Sequence, residues 1–169
     1  MGLFDFLKTE KDEGAKAENT PVMLGAPAKG TFVAMEQVPD EVFSQGIMGV
    51  CCGIDPSEGK VYAPADGRIS QLTDTLHALG MEAFGMEILI HVGVDTVEMG
   101  GDGFSNVVSA GQTVKKGDLL LTMDLDKIRA AGHAQTVIMA VTNSDDFASV
   151  EAVAAGEVPL GADVLRISR

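Results

Sequence analysis

From Pro21 to the C-terminus, short apolar runs are cut by glycine and proline, and apolar residues recur with period two more often than at helical spacing. That is the pattern of half-buried strands. Strands are predicted at 31–36, 49–54, 68–73, 86–94, 119–125, 136–142 and 164–168, with short helices or helical turns at 38–45 and 126–134. One phrase is written twice: Ala26-Pro27-Ala28-Lys29-Gly30-Thr31-Phe32 returns as Ala63-Pro64-Ala65-Asp66-Gly67-Arg68-Ile69. A weaker echo relates Val114-Lys115-Lys116-Gly117-Asp118-Leu119-Leu120 to Val158-Pro159-Leu160-Gly161-Ala162-Asp163-Val164. Each copy sets a Pro/Gly turn before an apolar strand, as a duplicated β unit needs where the chain reverses into a sheet. Residues 21–169 are therefore expected to form one all-β domain, an antiparallel β-sandwich or barrel-like fold with a duplicated motif and a few short helical turns.

Before Pro21 the texture differs. Leu3, Phe4 and Leu7 stand at helical spacing, and residues 8–20 carry mixed charge with almost nothing to bury. Residues 1–20 are expected to lie outside the domain as a short amphipathic helix on a flexible tether. The helix could dock on a partner or touch a membrane interface weakly through residues 1–8.

The chain holds 12 Lys and Arg against 25 Asp and Glu, a formal charge of −13, which repels phosphate backbones and argues against nucleic acid as a partner. No run of some 18 apolar residues offers a membrane span, and no signal peptide is visible, so a cytoplasmic protein is expected. Cys51 and Cys52, the two cysteines, are adjacent and read as small apolar strand residues.

Chemistry narrows to histidine. His91 lies on the strand face shared by Glu87, Leu89 and Asp95, opposite Ile88, Ile90 and Val92. Thr73, Thr75 and His77 share a face of the preceding strand, where Thr75 can hydrogen-bond an imidazole. A hairpin with the three-residue loop Ala83-Phe84-Gly85 would set His77 directly opposite His91 on an exposed face. Such a pair suits a solvated or structural role, a metal site short of a third ligand, or phosphoryl chemistry. Ser44, Ser57 and Ser70 have no adjacent base, and Gly100-Gly101-Asp102-Gly103 lacks the ending of a phosphate loop. A neutral imidazole attacking phosphorus needs neither nucleotide nor metal when the donor is a phosphohistidine. No cofactor and no metal are expected. His133 reads as a helix-end or loop residue.

These residues carry a resemblance. Leu89-Ile90-His91-Val92-Gly93-Val94-Asp95-Thr96-Val97-Glu98, with Ala63-Pro64-Ala65-Asp66-Gly67 and Leu76-His77-Ala78 upstream, resembles the glucose-type enzyme IIA family of the bacterial phosphoenolpyruvate-dependent sugar phosphotransferase system. Gly111-Gln112-Thr113-Val114-Lys115-Lys116-Gly117-Asp118 fits the same pattern, and the resemblance runs from about Gly25 to the C-terminus. It implies a phosphocarrier in which HPr donates a phosphoryl group to His91 and the IIB domain of a sugar permease receives it. It further implies His77 as the hydrogen-bonding partner and Thr75 as the residue that orients a histidine. Asp40 and Asp95 would flank the site, within an apolar patch of Val42, Phe43, Met48 and Leu89. The chain departs from the enterobacterial pattern at Thr73, Leu76 and Leu89, and its hairpin loop is one residue shorter. Two other readings compete. A biotinyl or lipoyl carrier would need a lysine at a hairpin tip between methionines, and Lys29, Lys60, Lys115 and Lys116 lack that context. A β-sandwich zinc peptidase would need a further ligand.

Overall fold

The computed structural model describes residues 20–169; the predicted helix and the tether as far as residue 19 lie outside the described residues. Fourteen strands follow along the described chain: β1 Val22–Gly25, β2 Gly30–Val33, β3 Val50–Pro56, β4 Lys60–Tyr62, β5 Gly67–Leu72, β6 Ala78–Ala83, β7 Met86–Val92, β8 Phe104–Asn106, β9 Thr113–Val114, β10 Leu119–Met123, β11 Val137–Val141, β12 Ser149–Ala152, β13 Glu157–Val158 and β14 Asp163–Ser168. Two short α-helices join them, α1 (Glu41–Ser44) and α2 (Leu125–Ala130), each N-capped by an aspartate, Asp40 and Asp124.

All strand pairs are antiparallel. One eight-stranded sheet runs β13-β2-β3-β11-β7-β6-β5-β9, and two three-stranded sheets run β1-β14-β12 and β4-β10-β8. Sheet-on-sheet packing explains the alternation in β7, where Met86, Ile88, Ile90 and Val92 are buried and the residues between them are not. They meet Leu120, Leu121, Leu165 and Ile167 of the small sheets in one core. The sheets do not close, so the sandwich expectation holds and the barrel-like one does not.

The repeat seen in the sequence is a repeat of hydrogen bonds. Gly25 N donates to Pro64 O at 2.9 Å and Tyr62 N to Pro27 O at 2.7 Å; Ala26 N donates to Ala162 O at 2.8 Å and Ala63 N to Asp118 O at 2.9 Å. Register follows the same rule: Phe32, Ile54 and Val137 lie abreast on β2, β3 and β11, as Ile69, Met81 and Ile88 do on β5, β6 and β7. One unit is continuous from β4 to β10. The other is split, β1–β3 and β11–β14, with the first inserted between. Their approximate twofold passes through the Ile90–Met139 pair at the centre of the large sheet.

That correspondence fixes the neighbourhood of His91. The pair Ala78–His91 in the continuous unit corresponds to Cys51–Ala140 in the split one. On this outer face the split unit is closed: Val38 and Phe43, from the β2–β3 connection, cover Cys51, Ile138 and Ala140 in a second small core. β11 is therefore buried on both faces, which is why its sequence is apolar throughout.

The seven predicted strands all exist, with ends shifted by up to three residues. Sequence reading missed β1, β4, β8, β9, β12 and β13, strands of two to four residues, and left β6 implicit in its hairpin. Of the predicted helix 38–45 only α1 is helical, preceded by a 3-10 turn at Met35–Gln37 outside the predicted range, and 126–134 gives way to α2. Cys51 and Cys52 are both buried on β3, and His133 sits in the loop after α2, as expected.

Candidate functional site

The β6–β7 hairpin turns on two residues, not three. Phe84 and Gly85 both have positive φ, 53° and 85°, the signature of a I′ turn whose twist suits the strands. The register moves by one, so Ala78 rather than His77 stands opposite His91. The regular strand expected through Thr73–Ala78 is a tight turn instead. Thr73 N donates to Ala78 O, Leu76 N donates to Thr73 O, and Thr73 Oγ1 accepts from Ala78 N at 3.3 Å. Leu76, at φ 63°, occupies the left-handed region. The chain then rejoins β7 through Val92 N, which donates to His77 O at 2.8 Å.

The two imidazoles nevertheless meet. Their ring centroids are 4.9 Å apart and nearly perpendicular, at 85°. They are not side by side on an exposed face. His91 is half-buried and His77 retains only 7% of its exposure. Phe43 packs on His91 with ring centroids 5.2 Å apart at 51°.

Each ring is held at one nitrogen. His91 Nδ1 lies 2.9 Å from Gly93 O. A carbonyl can only accept, so Nδ1 carries the proton and Nε2 the lone pair. His77 Nδ1 lies 2.7 Å from Thr75 Oγ1, the contact expected from sequence though formed from a turn. When that hydroxyl donates, the proton of His77 stays on Nε2.

Burial pushes His77 below the ordinary imidazole value of 6.5. Burial, and then the neighbouring His77, push His91 down as well; the Gly93 carbonyl and the carboxylates of Asp40 and Asp95 pull it partly back. Both rings are therefore neutral near pH 7.

The remaining predicted residues divide. Asp40 caps α1, accepting from Val42 N at 2.9 Å, and Asp95 begins the turn after β7 in the left-handed region, at φ 61°. Val42 is 43% exposed. Phe43 is not on the surface: it is 5% exposed, because it is the centre of the cap, with Met48 and Leu89 partly buried against it. Sequence reading did not single out Gly93 or Thr96 for the site. The signal was present, since a glycine two residues past His91 interrupts the strand pattern.

Among the described residues no third His, Cys, Asp or Glu joins the pair in a group that could hold a metal ion. Three surface grooves of about 400 to 680 Å³ are lined by neither histidine; the nearest includes Met48, Thr73, Gly80 and Leu89. His91 is half-buried and none of these grooves takes in its ring, an arrangement that suits contact with a large partner better than an enclosed small molecule. No described helix is long and apolar enough to cross a membrane.

Comparison with known proteins gives the family of the chain. The chain is 40% identical over 161 residues to the PTS system beta-glucoside-specific EIIBCA component of Dickeya chrysanthemi, covering 95% of this chain and 25% of that one. The chain thus spans about a quarter of that fused relative. It is 44% identical over 139 residues to the glucose-specific EIIA component of Bacillus cereus, covering 82% of this chain and 83% of that one. Among solved structures it matches glucose permease IIA from Mycoplasma capricolum with a TM-score of 0.78 and 32% identity, over 88% of this chain and 96% of that one. Residues 22–147, which hold both histidines and the cap, match the family model described as phosphoenolpyruvate-dependent sugar phosphotransferase system, EIIA 1, and the chain belongs to that family.

Proposed function

We propose that this protein is a phosphocarrier for uptake of a glucose-type sugar, taking a phosphoryl group from the phosphohistidine of HPr onto His91 and passing it to a IIB domain. The observation that carries the reading is the His91 ring itself: Nδ1 is committed to Gly93 O, leaving Nε2 as a nucleophile 4.9 Å, ring to ring, from a second neutral imidazole.

Transfer in follows from these positions. The lone pair of His91 Nε2 forms the new N–P bond as the donor's N–P bond breaks, and the donor imidazole leaves with the electron pair. His91 then has phosphorus at Nε2 and a proton at Nδ1, so its ring is positively charged. The Gly93 carbonyl faces that charge. His77, with Thr75 donating to its Nδ1, presents Nε2–H to a phosphoryl oxygen. Transfer out reverses each step with IIB as acceptor.

Phe43 covers one side of the His91 ring, and Val42 beside it is exposed for contact. Phosphorylation adds about −1.5 to −2 charge to this face, enough to change which partner it favours. The relatives named as EIIBCA and EIICBA components join A, B and C units in one chain, which supports a IIB acceptor. A carrier loaded by HPr works in the cytoplasm.

The test is intact mass after incubation with enzyme I, HPr and phosphoenolpyruvate. The wild type is expected to gain one acid-labile phosphate and His91→Ala none. His77→Gln is expected to accept phosphate but release it slowly to IIB. Labelling of His91→Ala would overturn the assignment.

A further inference from the structure

The two units part company at one residue. Gly93 N donates to Thr136 O at 2.7 Å, and its counterpart Thr142 N donates to Glu87 O at 2.8 Å. Up to this point the paths correspond. There Gly93 turns to φ 79°, while Thr142 does not enter the positive-φ region. The turn swings the Gly93 carbonyl back to His91 Nδ1.

A positive φ at glycine is permitted but not compelled, so something must hold it. Thr96 is fully buried and touches the turn in two ways. Its hydroxyl donates to Val92 O. Its methyl lies where a Cβ on Gly93 would sit, 2.4 Å from that point, with Ala134 O 2.8 Å away on another side. In the split unit the counterpart carbonyl, Val141 O, lies against the backbone of Gly49 instead. The continuous unit has no glycine there and uses Thr96.

We infer that Thr96 is a positioning residue for phosphoryl transfer: by pinning Val92 O and closing the space over Gly93, it fixes the carbonyl that keeps the His91 proton on Nδ1 and the lone pair on Nε2. The inference rests on His91 being the phosphoryl acceptor. Thr96 touches neither the ring nor the incoming phosphorus; it acts through the 92–93 backbone. Its hydroxyl is needed for direction and its methyl for space, so the two contributions separate by substitution.

The experiment compares wild type, Thr96→Val and Thr96→Ser by the imidazole 15N shifts of His91 and by the rate of phosphate uptake from phospho-HPr. Thr96→Val keeps the volume and loses the donor. It is expected to shift His91 from the Nδ1–H form toward a mixture of tautomers and to slow uptake about tenfold, the loss of roughly one hydrogen bond's worth of orientation. Thr96→Ser keeps the donor and loses only the methyl, and is expected to shift the 15N pattern less than Thr96→Val does. Should the valine variant not fold, Thr96→Ala takes its place. A variant lacking the hydroxyl with wild-type 15N shifts overturns the inference, whether its rate falls or not, because a merely structural effect would not move the tautomer. Failure of the wild type to take up phosphate at His91 overturns the parent reading instead, and the 15N comparison still decides the role of Thr96.

Discussion

The continuous and split units are built on the same register yet end in opposite states. In the split unit, Cys51 and Ala140 face outward beneath Val38 and Phe43, and the surface is sealed by a small apolar core. In the continuous unit the corresponding pair is Ala78 and His91, and Phe43 of the cap packs on the imidazole yet leaves it half-buried. One connection, β2 to β3, is long enough to fold back as a lid. Its counterpart, β5 to β6, is a five-residue turn that contributes Thr75 and His77. Duplication thus supplied two equivalent platforms, and the difference in connection length leaves one half-open beside the wall of the other. The proposed phosphoryl transfer would gain from this: the His91 ring is desolvated enough to stay neutral and is only half-buried.

The sharpest way to break the comparison is to disturb the seal where the units differ most. Gly49, at φ 100°, lies so close to β11 that a Cβ would stand 2.2 Å from Val141 O and 3.0 Å from Thr142 Cα, both backbone atoms. Relief would have to shift the backbone where β3 and β11 begin to pair, at Val50 and Val141. Gly49→Ala is expected to cost about 4 kcal/mol or more, adding steric conflict to a left-handed backbone. Chemical denaturation measures it. A cost under about 1 kcal/mol would mean that the closed unit is not closed by this contact.

Much of this was readable from the sequence, and the unreadable part has a physical pattern. The repeat was visible because Ala-Pro-Ala-x-Gly encodes a turn and a strand start locally, at Gly30 and Gly67 alike. The meeting of His77 and His91 was predicted, but through the wrong register. Phe84 at φ 53° allows a two-residue turn that sequence preference assigns to Asn, Asp or Gly. The rings still meet because the turn at Thr73–His77 is irregular, a compensation that period-two reasoning cannot contain. Phe43 was read as surface because its helix has only four residues, too few to show an apolar stripe; its burial comes from Ile138 and Ala140, about a hundred residues away. The short strands were missed for the same reason. Their pairing partners, not their own residues, make them strands.

A second prediction sharpens the comparison through pH. His77 and His91 are held below 6.5 in the folded protein, chiefly by burial, whereas in the unfolded chain they keep the ordinary value. Below 6.5 the unfolded chain therefore binds more protons than the folded one. The stability tied to these neutral rings is present in full above that value and is lost as pH falls through it. Melting temperature is expected to drop on acidification across this window, less so in His91→Gln. Phosphate uptake is expected to hold its neutral-pH rate until below 6.5, where protonation removes the lone pair. Phe43→Ala uncovers the ring and is expected to move the midpoint back toward 6.5. A wild-type midpoint above 6.5 would show that the lid does not desolvate the site.

The smallest expected effect tests the position where the two units solve one problem differently. Leu76 is the counterpart of Gly49, and both are left-handed, at φ 63° and 100°. A leucine there carries about 1–2 kcal/mol of strain that a glycine does not. Against this, its side chain is partly buried against the main core and lies near Gly101, and a glycine would also loosen the unfolded chain. The opposing contributions are each about 1 kcal/mol, so Leu76→Gly is expected to change stability by less than about 1 kcal/mol in either direction. Function should respond more than stability. Leu76 immediately precedes His77, and its packing fixes where the turn delivers that ring. With a glycine in its place, the Thr75–His77 bond and the 4.9 Å ring contact lose their anchor, and release of phosphate to IIB is expected to slow several-fold while uptake at His91 is spared. Denaturation and transfer rates measured on the same preparation separate the two. A gain of 2 kcal/mol or more would show Leu76 to be strain without packing. Unchanged release would show that His77 is placed by Thr73 and Thr75 alone.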